Sequence, residues 1–269
     1  MTLTVTILGC GSSGGVPRVG SGWGACDPAN PKNRRRRCSI LLERKGEAGT
    51  TIVLVDTSPD LREQLLDAGV KRLDAVLFTH EHADHTHGID DLRPLVIHMR
   101  RRIPVYADHT TGELLRLRFG YCFHAPPGSD YPPILTEHSL EIGVPVEIDG
   151  PGGRLTGVPF NLHHGKSHAL GFRFGRFAYA NDVSAVPEAS LAAFSDLDML
   201  VLDALRYTTH PTHFSVAEAL AFIDQVQPRR AVLTNMHTDI DHAELTARLP
   251  PSVEAAYDGM RLTVSLDGQ

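Results

Sequence analysis

Over residues 2–8 threonine alternates with Leu3, Val5 and Ile7, and that period of two predicts a half-buried β-strand. Short apolar runs recur at 38–42, 51–55, 75–78, 104–106, 155–162, 170–174, 176–180, 199–202, 230–233 and 261–266. Each is bounded by glycine, proline or polar residues and predicts a strand. A polar hairpin around Gly46 and Gly49 joins the runs at 38–42 and 51–55, and another around Gly175 joins those at 170–174 and 176–180. Helices are expected between the strands. One spans 59–68, with Ser58 as its cap, Pro59 at its first position and Gly69 at its stop; others span 110–119, 187–194, 215–226 and 241–249. Residues 120–133 combine aromatics, prolines and His124, and predict a surface loop overhanging a pocket. No repeat, low-complexity segment or long linker divides the chain, so the expectation is one α/β domain over 1–269, with mixed sheets inside and helices outside.

Composition narrows the partners. A net charge of −6 and a pI near 6.2 give no general attraction for nucleic acid or an anionic membrane, so a polyanionic partner needs a local patch. The apolar run at 1–8 is short and lacks a charged leader, so neither a signal peptide nor a membrane span is expected. Cys10, Cys26, Cys38 and Cys122 form no C-x-x-C pair and read as reduced thiols, which implies a cytoplasmic setting.

The densest chemistry lies at 79–90, Thr-His-Glu-His-Ala-Asp-His-Thr-His-Gly-Ile-Asp, directly after the apolar run 75–78. In extended backbone His80, His82 and Asp84 project to one side and His85 to the other. The four serve two adjacent cations only if the strand stops near Thr79 and the chain curls into a helix around 84–88. His80 and His82 then grip one ion, while Asp84 and His85 turn toward a second. Imidazole and carboxylate suit zinc, manganese or iron. His80, His164, Asp182, Asp203 and His237 all fall at or just past the C-terminal end of a predicted strand, where α/β folds collect ligands and catalytic groups. His163 is an alternative to His164. His87, His98, His109, His124, His138 and His242 lack such a placement.

Two further stretches admit two readings each. The loop Gly9-Cys10-Gly11-Ser12-Ser13-Gly14-Gly15-Val16-Pro17 is either a tight turn or a surface that brings backbone amides to a phosphate, and it matches neither the P-loop nor the dinucleotide fingerprint. The run Arg34-Arg35-Arg36-Arg37 is either a solvated face or a phosphate contact.

Taken together, these residues resemble the metallo-β-lactamase superfamily. The likeness spans nearly the whole chain and rests first on the H-x-H-x-D-H pattern at 80–85. Within the superfamily the chain is most similar to the phosphodiesterase branch that holds transfer-RNA 3′-processing nucleases and phosphoribosyl 1,2-cyclic phosphate phosphodiesterase. The matching features are the loop 9–17, the basic run 34–38, His164 ahead of Gly171-Phe172, and His213-Phe214-Ser215 opening a helix. The segment Pro-Arg-Arg-Ala-Val-Leu-Thr from Pro228 and the overall length favour the cyclic phosphodiesterase, and no inserted arm of the kind that grips transfer RNA is present.

The resemblance implies a four-layer αββα sandwich of two mixed β-sheets packed face to face. It implies two divalent metal ions, Zn or Mn. His80, His82 and His164 would hold the first, Asp84, His85 and His237 the second, and Asp182 would bridge them. Two departures stand out. The branch's last ligand follows a threonine directly, whereas here the sequence is Thr234-Asn235-Met236-His237, so His237 is assigned with a slip of two residues. Of the branch's cysteine-rich loop for a separate structural zinc only Cys26 remains, with Ser21 and Trp23 nearby, so no structural zinc is expected.

The implied activity is hydrolysis of a small cyclic or nucleotide-like ribose phosphate diester. Two dications make hydroxide available at neutral pH and attract a phosphate anion. Asp84 and His213 are the expected catalytic residues, with His213 as the acid that protonates the leaving group. Gly11, Ser12, Ser13, Arg37 and His213 are the expected substrate contacts, and Asp56 and Asp203 are expected to orient ligand imidazoles. Expected partners are thus a small phosphorylated substrate, with no DNA or long RNA and no membrane; a homodimer stays open. The alternatives are a thioester or lactone hydrolase of the same superfamily and a non-catalytic metal-dependent nucleotide-binding protein.

Overall fold

The computed structural model describes residues 2–125 and 127–266. The first half of the chain supplies strands β1 (Thr2–Gly9), β2 (Ser39–Gly46), β3 (Gly49–Val55), β4 (Ala75–Leu77), β5 (Ile103–Ala107) and β6 (Leu135–Ser139). The second supplies β7 (Val146–Ile148), β8 (Leu155–His164), β9 (Ser167–Phe174), β10 (Phe177–Ala180), β11 (Met199–Asp203), β12 (Ala231–Thr234), β13 (Val253–Ala255) and β14 (Arg261–Ser265). One sheet runs β14-β1-β2-β3-β4-β5-β6 and the other β13-β12-β11-β10-β9-β8-β7. Both are mixed. In the first, β14 through β3 pair antiparallel and β3 through β6 parallel; in the second, β13 through β10 pair parallel and β10 through β7 antiparallel.

Side-chain alternation sorts the first sheet into two faces. Ile40, Leu42, Val53, Val55, Ala75 and Leu77 join Phe172, Phe174, Leu200 and Leu202 in a core between the sheets. Leu41, Leu54, Val76 and Phe78 face the other way. They pack against helices α1 (Leu61–Asp67), α3 (Arg93–Met99) and α4 (His109–Phe123), with the single-turn α2 (Ala83–Thr86) lying between the first two in sequence. Helix α5 (Val216–Val226) buries Val216, Ala219, Phe222 and Ile223 against the second sheet, and α6 (His242–Arg248) packs beside β13. The four layers are helix, sheet, sheet, helix, as expected from the sequence.

Some element bounds differ from the sequence expectation. Helix α1 starts at Leu61, after Pro59, because the Ser58 hydroxyl is used within the turn: it accepts from the Asp60 amide and donates to Gln64 Oε1. Helix α4 runs past Gly120 to Phe123, bent where Phe119 leaves helical backbone angles, so among the described residues of 120–133 only 124–125 and 127–133 are irregular. Strands β6, β7 and β13 and helix α3 carry too little periodicity of their own to be read in advance. All four cysteines are buried free thiols. No helix among the described residues is long and apolar enough to cross a membrane.

Candidate metal centre

Strand β4 stops at Leu77, the chain bends at Thr79, and His82 enters the short helix α2 with φ −62° and ψ 151°. The carbonyl of His82 then accepts from the His85 amide at 3.0 Å and the Thr86 hydroxyl at 2.9 Å. That change of backbone puts Asp84 and His85 on a different bearing from His80 and His82. His164 closes β8, where alternation buries it and leaves its neighbour His163 exposed. Asp182 follows β10, Asp203 ends β11, and Asn235 follows β12.

Two clusters at the H-x-H-x-D-H motif share the Asp182 carboxylate, which also lies in a third group with Asp203 and His213, themselves joined by a hydrogen bond. Donor atoms of His80, His82, His164 and Asp182 all lie within 4.8 Å of one another, and so do those of Asp84, His85 and Asp182. Asp182 Oδ2 is the common point, 3.3 Å from His80 Nε2, 3.5 Å from His85 Nε2 and 3.7 Å from His164 Nε2. His85 Nε2 is also 3.4 Å from Asp84 Oδ2. The Nε2 atoms of His80 and His85 are buried and have no hydrogen-bond partner among the described residues. Buried polar atoms rarely stay unpaired, and a cation between the imidazoles and carboxylates would satisfy both. Three imidazoles with one carboxylate form a donor set that suits zinc, so the residues fit the divalent ions implied by the sequence.

The far sides of three of the four rings, His80, His85 and His164, are fixed. His85 Nδ1 donates to Asp56 Oδ2 at 2.7 Å, and the same carboxylate accepts from the Thr79 amide and hydroxyl, both at 2.8 Å. Because the Thr79 hydroxyl donates to Asp56, its oxygen accepts from His80 Nδ1 at 3.0 Å. His164 Nδ1 donates to the Thr212 carbonyl at 2.8 Å. Each Nε2 lone pair is thereby turned inward. Burial lowers the pKa of His164 to about 4, which keeps that lone pair free. Burial alone would raise the Asp182 carboxyl, but His85 and His80 beside it hold it well below the usual range.

A cavity of about 360 Å³ opens onto the cluster, lined by Ser12, Ser13, Arg18, Arg206, His210 and His213 among others. His213 Nδ1 lies 2.8 Å from Asp203 Oδ2, which also accepts from the Val183 amide. Burial opposes protonation of His213, yet Asp203 lifts its pKa to about 9.

The structure departs from the sequence reading at several residues. His237 belongs to neither cluster: its Nε2 meets an Arg18 guanidinium nitrogen, and its Nδ1 is 3.3 Å from Asp239 Oδ1 and Thr238 Oγ1. The position after Thr234 is filled by Asn235, whose Nδ2 donates to Asp182 Oδ1 and Asp203 Oδ1, both at 3.0 Å. Asp203 therefore orients His213 and Asn235, not a ligand imidazole. Arg37 lies away from the cavity, paired with Asp60 at 2.8 Å in a separate concavity, and Arg36 pairs with Asp67 and Asp258. Gly11 does not line the cavity either. It threads between the sheets, bridging Arg37 and Met236, where an added Cβ would come within 2.9 Å of Arg35. Ser12 and Ser13 do line it, and the buried Ser12 hydroxyl has no partner among the described residues. Arg18, Arg206, His210 and Asn235 were missed, since isolated residues in loops carry no periodic signal. Beside Cys26 sits the buried Arg35, which donates to Asn33 Oδ1 and the His237 carbonyl.

Residues 51–244 match the family model described as Beta-lactamase superfamily domain. This chain belongs to the metallo-β-lactamase superfamily of metal-dependent hydrolases. Within that superfamily it is similar to the solved structure of a diphosphatase from the PhnP family, at 35% identity and a TM-score of 0.87, covering 98% of each chain. It is 34% identical over 266 residues to an octanoyltransferase of Porphyromonas gingivalis, covering 97% of this chain but only 52% of that protein. The chain thus spans about half the length of that relative. It is 26% identical to a ribonuclease Z of Bradyrhizobium diazoefficiens, covering 85% of this chain and 94% of that enzyme.

Proposed function

We propose that this superfamily member is a phosphodiesterase acting on a small phosphorylated molecule of the ribose phosphate or nucleotide-like class. His80, His82, His164 and Asp182 would hold one divalent ion and Asp84, His85 and Asp182 the other. When bound, such ions polarise a phosphoryl oxygen and supply hydroxide at neutral pH.

The observation that carries the reading is the cavity wall facing the cluster. His213, whose pKa Asp203 lifts to about 9 against the effect of burial, stands there with Arg18, Arg206 and the Ser12 hydroxyl, which has no partner among the described residues. Such a wall suits an anion that must be held and then given a proton, whereas an acyl ester carries no charge to be held and a thioester's thiolate leaves without a proton. His213 donates that proton to the leaving oxygen, a role typically worth about 10²- to 10⁴-fold. Asp203 holds the imidazole in place, while Ser12, Ser13 and Arg18 contact the phosphate. A volume of about 360 Å³ suits a small molecule. Likeness to a PhnP-family diphosphatase over 98% of both chains supports the small-substrate reading over the transfer-RNA activity suggested by the name ribonuclease Z.

The test is hydrolysis of bis(p-nitrophenyl) phosphate and ribose cyclic phosphates by protein loaded with Zn²⁺ or Mn²⁺, against thioester and lactone substrates in parallel. Turnover of the phosphodiesters is expected. Faster turnover of the acyl substrates, or nucleotide binding in a calorimeter without any product, would overturn the proposal.

A further inference from the structure

The two cation positions around Asp182 are not equivalent. The first has four protein donors, three imidazoles and a carboxylate, enough to close a tetrahedral site. The second has three, and two of those are carboxylates. A further imidazole could come from the end of β12, where the chain passes beside Asp182, but that place is taken by Asn235. The amide of Asn235 is committed to Asp182 Oδ1 and Asp203 Oδ1, so it presents N–H groups, not a lone pair, to this side of the site. It also leaves only Oδ2 of Asp182 to be shared between both positions. His237, two residues on, has both ring nitrogens occupied, and the Arg18 guanidinium against its Nε2 repels a cation there.

Resting on the function proposed above, we infer that the Asp84, His85 and Asp182 position is a weak, exchangeable site for a harder ion such as Mn²⁺, beside a tight zinc position at His80, His82, His164 and Asp182. Oxygen-rich donor sets favour Mn²⁺ and imidazole-rich ones zinc. Loss of a group that merely orients a ligand costs about 10- to 100-fold in affinity, and here a whole donor is missing, so the gap is roughly 100-fold or more. Asn235 acts as a positioning residue that sets this inequality.

The readout is metal content and Mn²⁺ binding, independent of turnover. Purified protein dialysed against metal-free buffer is expected to retain one equivalent of zinc by mass spectrometry. Titration with Mn²⁺, followed by the EPR signal of free ion, is expected to fill one further site. Asn235→His should raise the retained metal to two equivalents, and His237→Ala should change neither number. Should Asn235→His fail to fold, Asp84→Asn serves instead: it should abolish Mn²⁺ uptake while one zinc stays. Two equivalents retained by the parent protein, or loss of the second ion in His237→Ala, would overturn the inference alone. No retained or titratable metal at all would overturn both it and the proposed function.

Discussion

Replacing Asp56 with asparagine reverses two hydrogen bonds, those from His85 Nδ1 and the Thr79 hydroxyl, without changing shape. Asp56 is fully buried and sits at φ 64°, a left-handed backbone angle that asparagine also tolerates, so the fold should accept the change. The new Oδ1 can still accept from the Thr79 amide at 2.8 Å. The new Nδ2, however, must point at His85 Nδ1, 2.7 Å away, and at the Thr79 hydroxyl. Two donors cannot face each other at that distance, so His85 must accept at Nδ1 and carry its proton on Nε2. That proton then points toward Asp84 Oδ2 and Asp182 Oδ2, at 3.4 Å and 3.5 Å, and occupies the lone pair a cation needs. Loss of such an orienting partner lowers metal affinity by about 10- to 100-fold, or about 1 to 3 kcal/mol. The assay is Mn²⁺ titration of zinc-loaded protein, paired with ¹⁵N-resolved NMR of the histidine tautomers. A His85 tautomer unchanged from the parent, with affinity within about twofold, would refute the reasoning.

The acid role of His213 predicts that His213→Ala keeps its metal content and loses about 10²- to 10⁴-fold in kcat. Asp203 favours the protonated ring and so raises its pKa; activity that needs this proton should fall as pH rises through a midpoint no higher than about 9, because bound cations can only lower it. A pH profile of kcat with no such basic limb would count against the assignment. Gly88 lies where an added Cβ would overlap the Ser58 carbonyl oxygen, a backbone atom that cannot swing away. Gly88→Ala should therefore cost about 1 to 3 kcal/mol and lower the melting temperature by roughly 2–12 °C. An unchanged thermal midpoint would show that this turn relaxes more freely than its packing implies.

The sheet and the H-x-H-x-D-H cluster were legible because both are dense in sequence: apolar alternation fixes which face of β2, β3 and β4 is buried, and four ligand-type side chains fall within six residues. His164 and Asp182 were legible because one ends a strand and the other follows one by two residues. His237, expected as a ligand, lies outside the donor clusters, though it lines the same cavity, and the reason is instructive. The pattern asks for a histidine after Thr234, and the nearest one was taken, but a shift of two residues moves a side chain beyond the strand end and into the reach of Arg18. The arginine run misled in the same way, since nothing local reveals that Asp60, Asp67 and Asp258, from 23 to 222 residues away, neutralise Arg37 and Arg36. Arg18, lone in a glycine-rich loop, gave no signal, yet it reaches the cavity.

Asp56, Asp182 and Asn235 each come directly or nearly directly after a strand, and each has a positive φ, at 64°, 55° and 62°. A left-handed residue at a strand end ends the ladder and turns its side chain back over the sheet edge, where in these three cases it meets an imidazole or carboxylate of the site. For most side chains that conformation costs roughly 1 kcal/mol or more, and aspartate and asparagine bear it best. The residue types are thus constrained twice, by backbone and by chemistry. An imidazole at 235 would meet both demands less well: histidine is less at ease at φ 62° than asparagine, and it could not give two N–H bonds from one nitrogen to Asp182 and Asp203. Holding those two carboxylates together with a neutral donor leaves Asp203 to His213 and the outer oxygen of Asp182 to the cation positions. The asparagine therefore links the group that would give up a proton to the groups that would hold the ions, at the expense of a donor for the second ion.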